Sequence, residues 1–101
     1  MDLGNLTEEV DMFIQTHGGY WKPAWLLAAI TEELGELSHA IQSYEKIRQI
    51  YNTKKENSMK KLIEEESGDI LFALICLTNF YNINLESALI KTLGKYSSRE
   101  R

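Results

Sequence analysis

Apolar residues recur along this chain at intervals of three and four positions, the spacing of an amphipathic α-helix. No segment shows the sustained alternation of polar and apolar residues that is typical of a half-buried β-strand. The pattern therefore predicts an all-α protein. Its clearest stripe, expected to face the core of a second helix, consists of Leu26, Ile30, Leu34, Leu37, Ile41 and Tyr44.

Local signals predict where the first two helices begin and end. Asn5 and Glu8 have the spacing of a capping box, which predicts a first helix that runs to about Thr16. The run of residues 17–19, with two consecutive glycines, then ends it. Pro23 suits the first position of a second helix, where its missing N–H costs nothing.

The second half of the chain predicts two more helices. We expect the second helix to end near Ile50, because residues 52–58 are polar and unpatterned and predict a loop. Asn57 or Ser58 would then cap a third helix that reaches about Tyr81. Asn84 would cap a fourth helix, which completes a single domain over residues 1–101.

The third predicted helix needs packing partners on every side. Ile70 to Leu77 is an uninterrupted apolar run, so the third helix is apolar on every side there. A helix of this kind has to be covered all round, and three other helices, one of them short, are too few. A two-fold related copy is the simplest cover, so we expect a homo-oligomer.

Composition and charge narrow the class of protein. Hydrophobic residues make up 44% of the 101 residues, which is ordinary globular composition. The formal charge of -4 argues against binding of a nucleic acid polymer, which requires a clustered basic excess. The single cysteine, Cys76, forms no internal disulfide, and no apolar run approaches the roughly 20 residues that span a bilayer. We expect a soluble cytoplasmic protein with no membrane partner.

Four acidic residues occur as two pairs on the two long predicted helices. Glu66 and Asp69 share a face with apolar residues of the third helix, and Glu33 and Glu36 lie at the edge of the apolar stripe of the second. In both pairs the spacing is i, i+3, which puts the two carboxylates on adjacent turns. If the helices pack antiparallel, all four carboxylates converge. Such an all-oxygen site suits Mg²⁺, Mn²⁺ or Ca²⁺.

Two other interpretations remain open at this point. The acids could be ordinary solvated residues of a non-catalytic helical module that binds a partner protein through its apolar faces. Alternatively, Glu36 and His39 have the ExxH spacing of a carboxylate-bridged di-iron bundle, although the position after Glu66 that would need a histidine holds Asp69. The inward direction of Glu66 and Asp69 argues against the first alternative, since an interaction module does not require it.

The two acidic segments resemble a known signature. Glu32-Glu33-Leu34-Gly35-Glu36, followed by Glu66-Ser67-Gly68-Asp69, is similar to the EExxE…ExxD motif of the MazG-like all-α nucleoside triphosphate pyrophosphohydrolases. The resemblance extends from about Pro23 to Arg99. It implies a four-helix bundle with two long antiparallel helices and shorter N- and C-terminal helices, completed as a homodimer or homotetramer. It also implies cleavage of a nucleoside triphosphate between the α- and β-phosphates. Phosphoribosyl-ATP pyrophosphohydrolase, a related all-α class, stays open as an alternative.

The resemblance also implies roles for individual acids. Mg²⁺, or Mn²⁺ as a substitute, would be held by Glu33, Glu36, Glu66 and Asp69. Glu32 would orient or deprotonate the attacking water.

Five further residues are candidates for contact with the substrate. A basic row recurs every four residues on the last helix and could bind phosphate: Lys91, Lys95 and Arg99. Trp21 and Trp25 lie on either side of the start of the second helix, where one of them could stack on a base, with Trp25 as the candidate. Packing of these side chains against the first helix is the alternative. Asn79 is a candidate hydrogen-bond donor to a ligand from the third helix.

Overall fold

The computed structural model describes residues 1–49 and 53–99, with the side chain of Gln49 left out. These residues form four α-helices and no strand: α1 (Leu3–Gln15), α2 (Pro23–Gln49), α3 (Thr53–Phe80) and α4 (Leu85–Arg99). The predicted all-α fold, with two long helices between two shorter ones, is thus confirmed. The predicted end of the second helix at Ile50 falls outside the described residues.

The first helix starts earlier than predicted. Its N-cap is Asp2, whose carboxylate accepts the Asn5 backbone N–H at 2.7 Å, while the Asn5 side chain accepts the Asp2 N–H at 3.2 Å. The prediction of Asn5 as the cap was therefore wrong, because Asn5 occupies the third helical position of a capping box that begins at Asp2. Gly18 and Gly19, with φ of 100° and 85°, follow the end of α1 as predicted.

The predicted loop over residues 52–58 was also wrong for residues 53–58, because α3 begins at Thr53, whereas residue 52 lies outside the described residues. Asn57 and Ser58 lie inside the helix, where the Ser58 hydroxyl donates to the Lys54 carbonyl at 3.2 Å. Lysine and glutamate have high intrinsic helix propensity, so a segment rich in them forms helix without an apolar stripe. The predicted cap of α4 is confirmed, since the Asn84 side chain accepts the Ser87 N–H at 2.9 Å.

The two long helices pack against each other as an antiparallel hairpin. The Tyr44 hydroxyl donates to Glu56 at 3.1 Å near one end, and Glu33 meets Glu66 further along. Leu26 and Ala40 of α2 are buried with three residues of α3: Ala73, Ile75 and Cys76. α1 packs on α3, and α4 packs on α1. The hairpin therefore holds the acidic motifs side by side, while α1 covers part of α3.

Much apolar surface stays exposed in a single chain. Leu34 and Ile41 of the predicted core stripe are 50% and 43% exposed, and Leu71 and Phe72 of the apolar run are 45% and 40% exposed. The predicted stripe is thus only partly buried within one chain. Among the described residues no single helix is long and apolar enough to cross a membrane; only α3 and α4 taken together pass that test, as a pair bent by 106°.

A short polar network fixes the segment between α1 and α2. The Tyr20 hydroxyl donates to Asp11 of α1 at 2.6 Å, and the Asn79 amide of α3 donates to the Thr7 carbonyl of α1 at 2.9 Å. Burial and the hydrogen bond to Asp11 raise the pKa of Tyr20 to about 12. These bonds tie the loop to α1, and α1 to α3.

Replacing Tyr20 by phenylalanine is expected to lower the free energy of unfolding by about 1 kcal/mol, because Asp11 loses its donor. Urea denaturation of the variant and the parent protein measures this change. Tyr44→Phe is the matched control, since its hydroxyl makes the longer bond to Glu56 at the far end of the hairpin. Equal stability losses in the two variants would contradict a specific role for the Tyr20 bond.

Candidate metal centre and the adjoining cavities

Three carboxylates from the two long helices converge on one point. Glu33 of α2 and Glu66 and Asp69 of α3 each offer an oxygen, and these oxygens lie within 4.8 Å of one another. Glu66 is only 8% exposed, Glu33 is half-buried and Asp69 lies at the exposed edge. The i, i+3 spacing on α3 thus turns one acid into the helix interface and leaves the other beside solvent.

Two buried carboxylate oxygens of the cluster accept no hydrogen bond. Oε2 of Glu33 and Oε2 of Glu66 are buried and have no hydrogen-bond partner. Two ionised carboxylates have no proton to donate to each other, so their oxygens need a proton, a cation or the N–H or O–H of another group. A proton shared with the Glu33 carboxyl group, burial, and the negative charges of Glu33 and Glu36 raise the pKa of Glu66 to about 7. A divalent cation that prefers oxygen ligands fits this donor set.

Glu36 and Glu32 lie beside the cluster rather than in it. Glu36 is exposed and does not belong to the group of three, yet its negative charge helps to raise the pKa of Glu66. Both residues line an open cavity of about 470 Å³ together with Gly35, His39, Leu62 and Glu66. The structure therefore brings all five predicted acids to one stretch of the α2–α3 interface, and Glu66 belongs both to the carboxylate cluster and to this open cavity.

A second, more apolar cavity of about 390 Å³ also reaches the cluster. Glu33 and Asp69 form its acidic side, and aromatic and aliphatic residues from α1, the following loop and the hairpin form the rest. These residues are Phe13, Ile14, His17, Gly19, Tyr20, Trp21, Leu26, Ala29, Phe72, Ala73 and Cys76. The sequence pattern did not single out most of them, because it does not show that the segment 13–21 folds over the acidic helices. The only local signal was the glycine break followed by Tyr20 and Trp21.

The five predicted substrate-binding residues do not line either of these cavities in a single chain. Trp25 is 66% exposed and lies outside both, whereas Trp21 lines the apolar one. Asn79 donates its amide to Thr7. The basic row lies on α4: the Lys95 ammonium is 5.2 Å and the Arg99 guanidinium 5.6 Å from the centre of the Tyr96 ring, and Lys91 is exposed. Contact of these five with substrate stays a prediction.

Comparison with known proteins points to one family. A family model for the MazG nucleotide pyrophosphohydrolase domain matches residues 22–101, which include both acidic motifs. The uncharacterized protein YpjD of Bacillus subtilis is 38% identical over 100 residues, which cover 98% of this chain and 86% of that protein. The nucleoside triphosphate pyrophosphohydrolase/pyrophosphatase MazG of Thermotoga maritima is 41% identical over 56 residues, which cover 55% of this chain and 22% of that protein. No solved structure matches.

Proposed function

Because this chain belongs to the MazG nucleotide pyrophosphohydrolase family, we propose that it is a magnesium-dependent enzyme that cleaves nucleoside triphosphates between the α- and β-phosphates. The products are a nucleoside monophosphate and pyrophosphate. The observation that carries this proposal is the pair of buried, unpartnered oxygens on Glu33 and Glu66, within reach of Asp69. The name of the Thermotoga maritima relative supports a nucleoside triphosphate as substrate.

Each acid has a role in this proposal. Glu33, Glu66 and Asp69 hold Mg²⁺, and Glu36 completes the ligand set from the next turn of α2. Bound there, Mg²⁺ (or Mn²⁺) supplies charge neutralisation of the phosphates and polarisation of a phosphoryl oxygen. Glu32 is exposed in the cavity that also contains Glu36 and Glu66, so it can accept a proton from a water held there.

The donor set also favours magnesium over iron. The three residues that can share an ion, among those the structure describes, are all carboxylates, and His39 is not one of them. A di-iron site requires a second ExxH, and α3 has Asp69 in that position. A non-catalytic interaction module gives no reason for a carboxylate as buried as Glu66 to lie beside another carboxylate, because such a pair is unfavourable without a proton or a cation.

Release of pyrophosphate from a panel of ribo- and deoxyribonucleoside triphosphates tests the reaction. We expect turnover with Mg²⁺ or Mn²⁺ and none with EDTA, because the clustered acids would otherwise repel the phosphates. Chromatography of the products should show monophosphate and pyrophosphate in equal amounts. Release of inorganic phosphate instead, or activity that survives EDTA, would contradict the proposal.

We further propose that the protein assembles as a homodimer or homotetramer. Leu27 and Leu34 of α2 are 58% and 50% exposed, and Ile90 and Leu93 of α4 are 62% and 59% exposed. Large apolar side chains exposed in such number mark a surface that another chain covers. Sedimentation velocity at micromolar concentration should show a species of at least twice the 11.7 kDa chain mass. A monomer that stays monodisperse over a hundredfold concentration range would exclude this assembly.

A further inference from the structure

The helix α1 and the loop that follows it form one wall of the apolar cavity, yet few contacts attach them to the rest of the chain. We propose that this segment is a lid, which swings away from the α2–α3 hairpin about Gly18 and Gly19 while the hairpin stays folded. Three hydrogen bonds among the described residues hold it shut, made by the side chains of Tyr20, Asn79 and Glu86. Passage of a nucleotide through the opening rests on the proposed function, whereas the opening itself does not.

Little apolar surface holds α1 in place. None of its 13 residues, all of which the structure describes, is buried, whereas α3 buries four. Met12 and Phe13 are 63% and 52% exposed, although the edge of the Phe72 ring meets Phe13 with centroids 6.2 Å apart. An element with so few buried apolar contacts separates from its neighbours at a lower free energy than the core unfolds. Among the four helices, α1 is therefore well suited to move as a unit.

The loop after α1 contains two adjacent glycines in a backbone conformation that other residues rarely adopt. The φ angle is 100° at Gly18 and 85° at Gly19, and a Cβ at either position would meet no described atom within 4 Å. Glycine is therefore required there by the backbone angle and not by crowding. Glycine also has the widest range of accessible backbone angles, so a rotation of α1 relative to α2 can be concentrated at these two residues.

Two of the three hydrogen bonds lie close to the hinge and form one network. The Tyr20 hydroxyl donates to Asp11 at 2.6 Å, which joins the residue after the two glycines to α1. The Asn79 amide donates to the Thr7 carbonyl at 2.9 Å, which joins α1 to α3. Burial and the bond to Asp11 raise the pKa of Tyr20, and a hydrogen bond from Asn79 counteracts them, so the three side chains meet. A rotation of α1 breaks this network.

The third hydrogen bond lies at the end of α1 that is farthest from the hinge. The Gly4 N–H donates to the Glu86 carboxylate of α4 at 2.8 Å. A rotation about Gly18 and Gly19 displaces this end of α1 the most, so the bond to Glu86 also breaks when the lid opens. The closed lid thus depends on a small number of polar contacts at its two ends.

The single cysteine of the chain, Cys76, provides a probe of the opening. Cys76 is only 2% exposed and lines the cavity together with Phe13 and Ile14 of α1. Burial raises the pKa of its thiol, so the closed protein offers a reagent neither access nor thiolate. The rate at which Cys76 reacts with a thiol reagent therefore reports how often the lid opens, and no other thiol contributes.

Modification by methyl methanethiosulfonate in EDTA, followed by mass spectrometry at increasing urea below the unfolding transition, tests the lid. We expect a rate that is almost independent of urea, because a lid that swings as a unit exposes little new surface. Exposure of Cys76 by global unfolding would instead give a rate that rises exponentially with urea, with the slope of the equilibrium transition. That steep dependence overturns the lid.

Two substitutions test the parts assigned to the latch and the hinge. Asn79→Ala is expected to raise the urea-independent rate about 3- to 30-fold through its lost hydrogen bonds. Gly19→Ala should raise it too, because alanine at a φ of 85° is strained in the closed lid. The matched controls are Asn57→Ala, an exposed asparagine on the same helix as Asn79, and Gly94→Ala, a helical glycine with open space around it. Rates in Asn79→Ala or Gly19→Ala that equal those of their controls overturn the latch or the hinge.

Passage of the nucleotide has a separate readout. An equimolar mixture of the four deoxynucleoside monophosphates with Mg²⁺ should slow the modification of Cys76 at least tenfold at saturation, because a ligand that binds the closed form lowers the open population. An unchanged rate in a protein that releases pyrophosphate from the corresponding triphosphates overturns this role. In a protein that releases none, the urea dependence without nucleotide still decides whether the lid exists, so the two proposals fail separately.

Discussion

Replacing Glu66 by glutamine is expected to lower kcat/KM for pyrophosphate release by on the order of 10²- to 10³-fold while raising the thermal stability of the metal-free protein. Glu66 is the buried member of the cluster, and its ionised form is unfavourable beside Glu33 in the absence of a cation. A neutral amide of the same shape removes that repulsion and at the same time a ligand charge. Function and stability should therefore change in opposite directions.

Pyrophosphate release in Mg²⁺ and thermal denaturation in EDTA measure the two halves of this expectation. Glu64→Gln is the matched control, because Glu64 is an exposed acid two residues away on the same helix. We expect the control to keep kcat/KM within about twofold of the parent, as most surface substitutions have small effects. A Glu66→Gln protein that keeps full activity would remove Glu66 from the site.

Binding of Mg²⁺ is expected to strengthen about tenfold between pH 6 and pH 8, because the cation and a proton compete for Glu66. The pKa of Glu66 is raised to about 7 in the metal-free protein. At pH 6 the site then binds roughly 0.9 proton that the cation must displace, and at pH 8 roughly 0.1. Calorimetric titration in two buffers of different ionisation enthalpy measures this proton release directly.

The stability of the metal-free protein follows the same titration with a definite sign. The pKa of Glu66 is 4.5 in the unfolded chain and about 7 in the folded protein. At a pH between these two values, the folded state therefore binds a proton that the unfolded state has released. The melting temperature in EDTA should therefore fall as pH rises from about 4.5 to about 7, and level off above that. Glu66→Gln should weaken this dependence and suppress the proton release. An Mg²⁺ affinity that is equal at both pH values would show that another group governs binding.

The carboxylate cluster could be predicted from sequence because helix geometry alone decides which face a residue occupies. Two acids at i, i+3 on the apolar face of a helix lie against the element that packs on that face. The residue pattern of the chain also predicted both long helices. Glu36 shows the limit of this reasoning. It lies on the turn after Glu33, but its distance from the other three acids depends on how α2 and α3 are rotated about their axes, which periodicity does not determine.

Other features depend on contacts that are distant in sequence. Asp2 rather than Asn5 caps α1, and the added turn brings the Gly4 N–H to Glu86 of α4 at 2.8 Å. Nothing in the first ten residues indicates that contact. The aromatic cavity is similar, since Phe13 and Phe72 are 59 positions apart and meet only because α1 lies on α3. Trp21 lies just before Pro23, the first residue of α2, and Trp25 just after it, so only the tertiary structure shows which of the two lines the cavity.

The first residue of the family match, residue 22, separates two parts of the candidate site. The match to the family begins there and includes every acid of the cluster, whereas Phe13, His17 and Trp21 of the cavity wall all precede it. The α1 side of the cavity wall and the acids of the cluster therefore lie on separable stretches of chain, one of about twenty residues and one of about eighty. Mutations in the first stretch can change the shape of the cavity and leave every acid of the cluster in place. The shape of the cavity can therefore vary in evolution independently of the carboxylates.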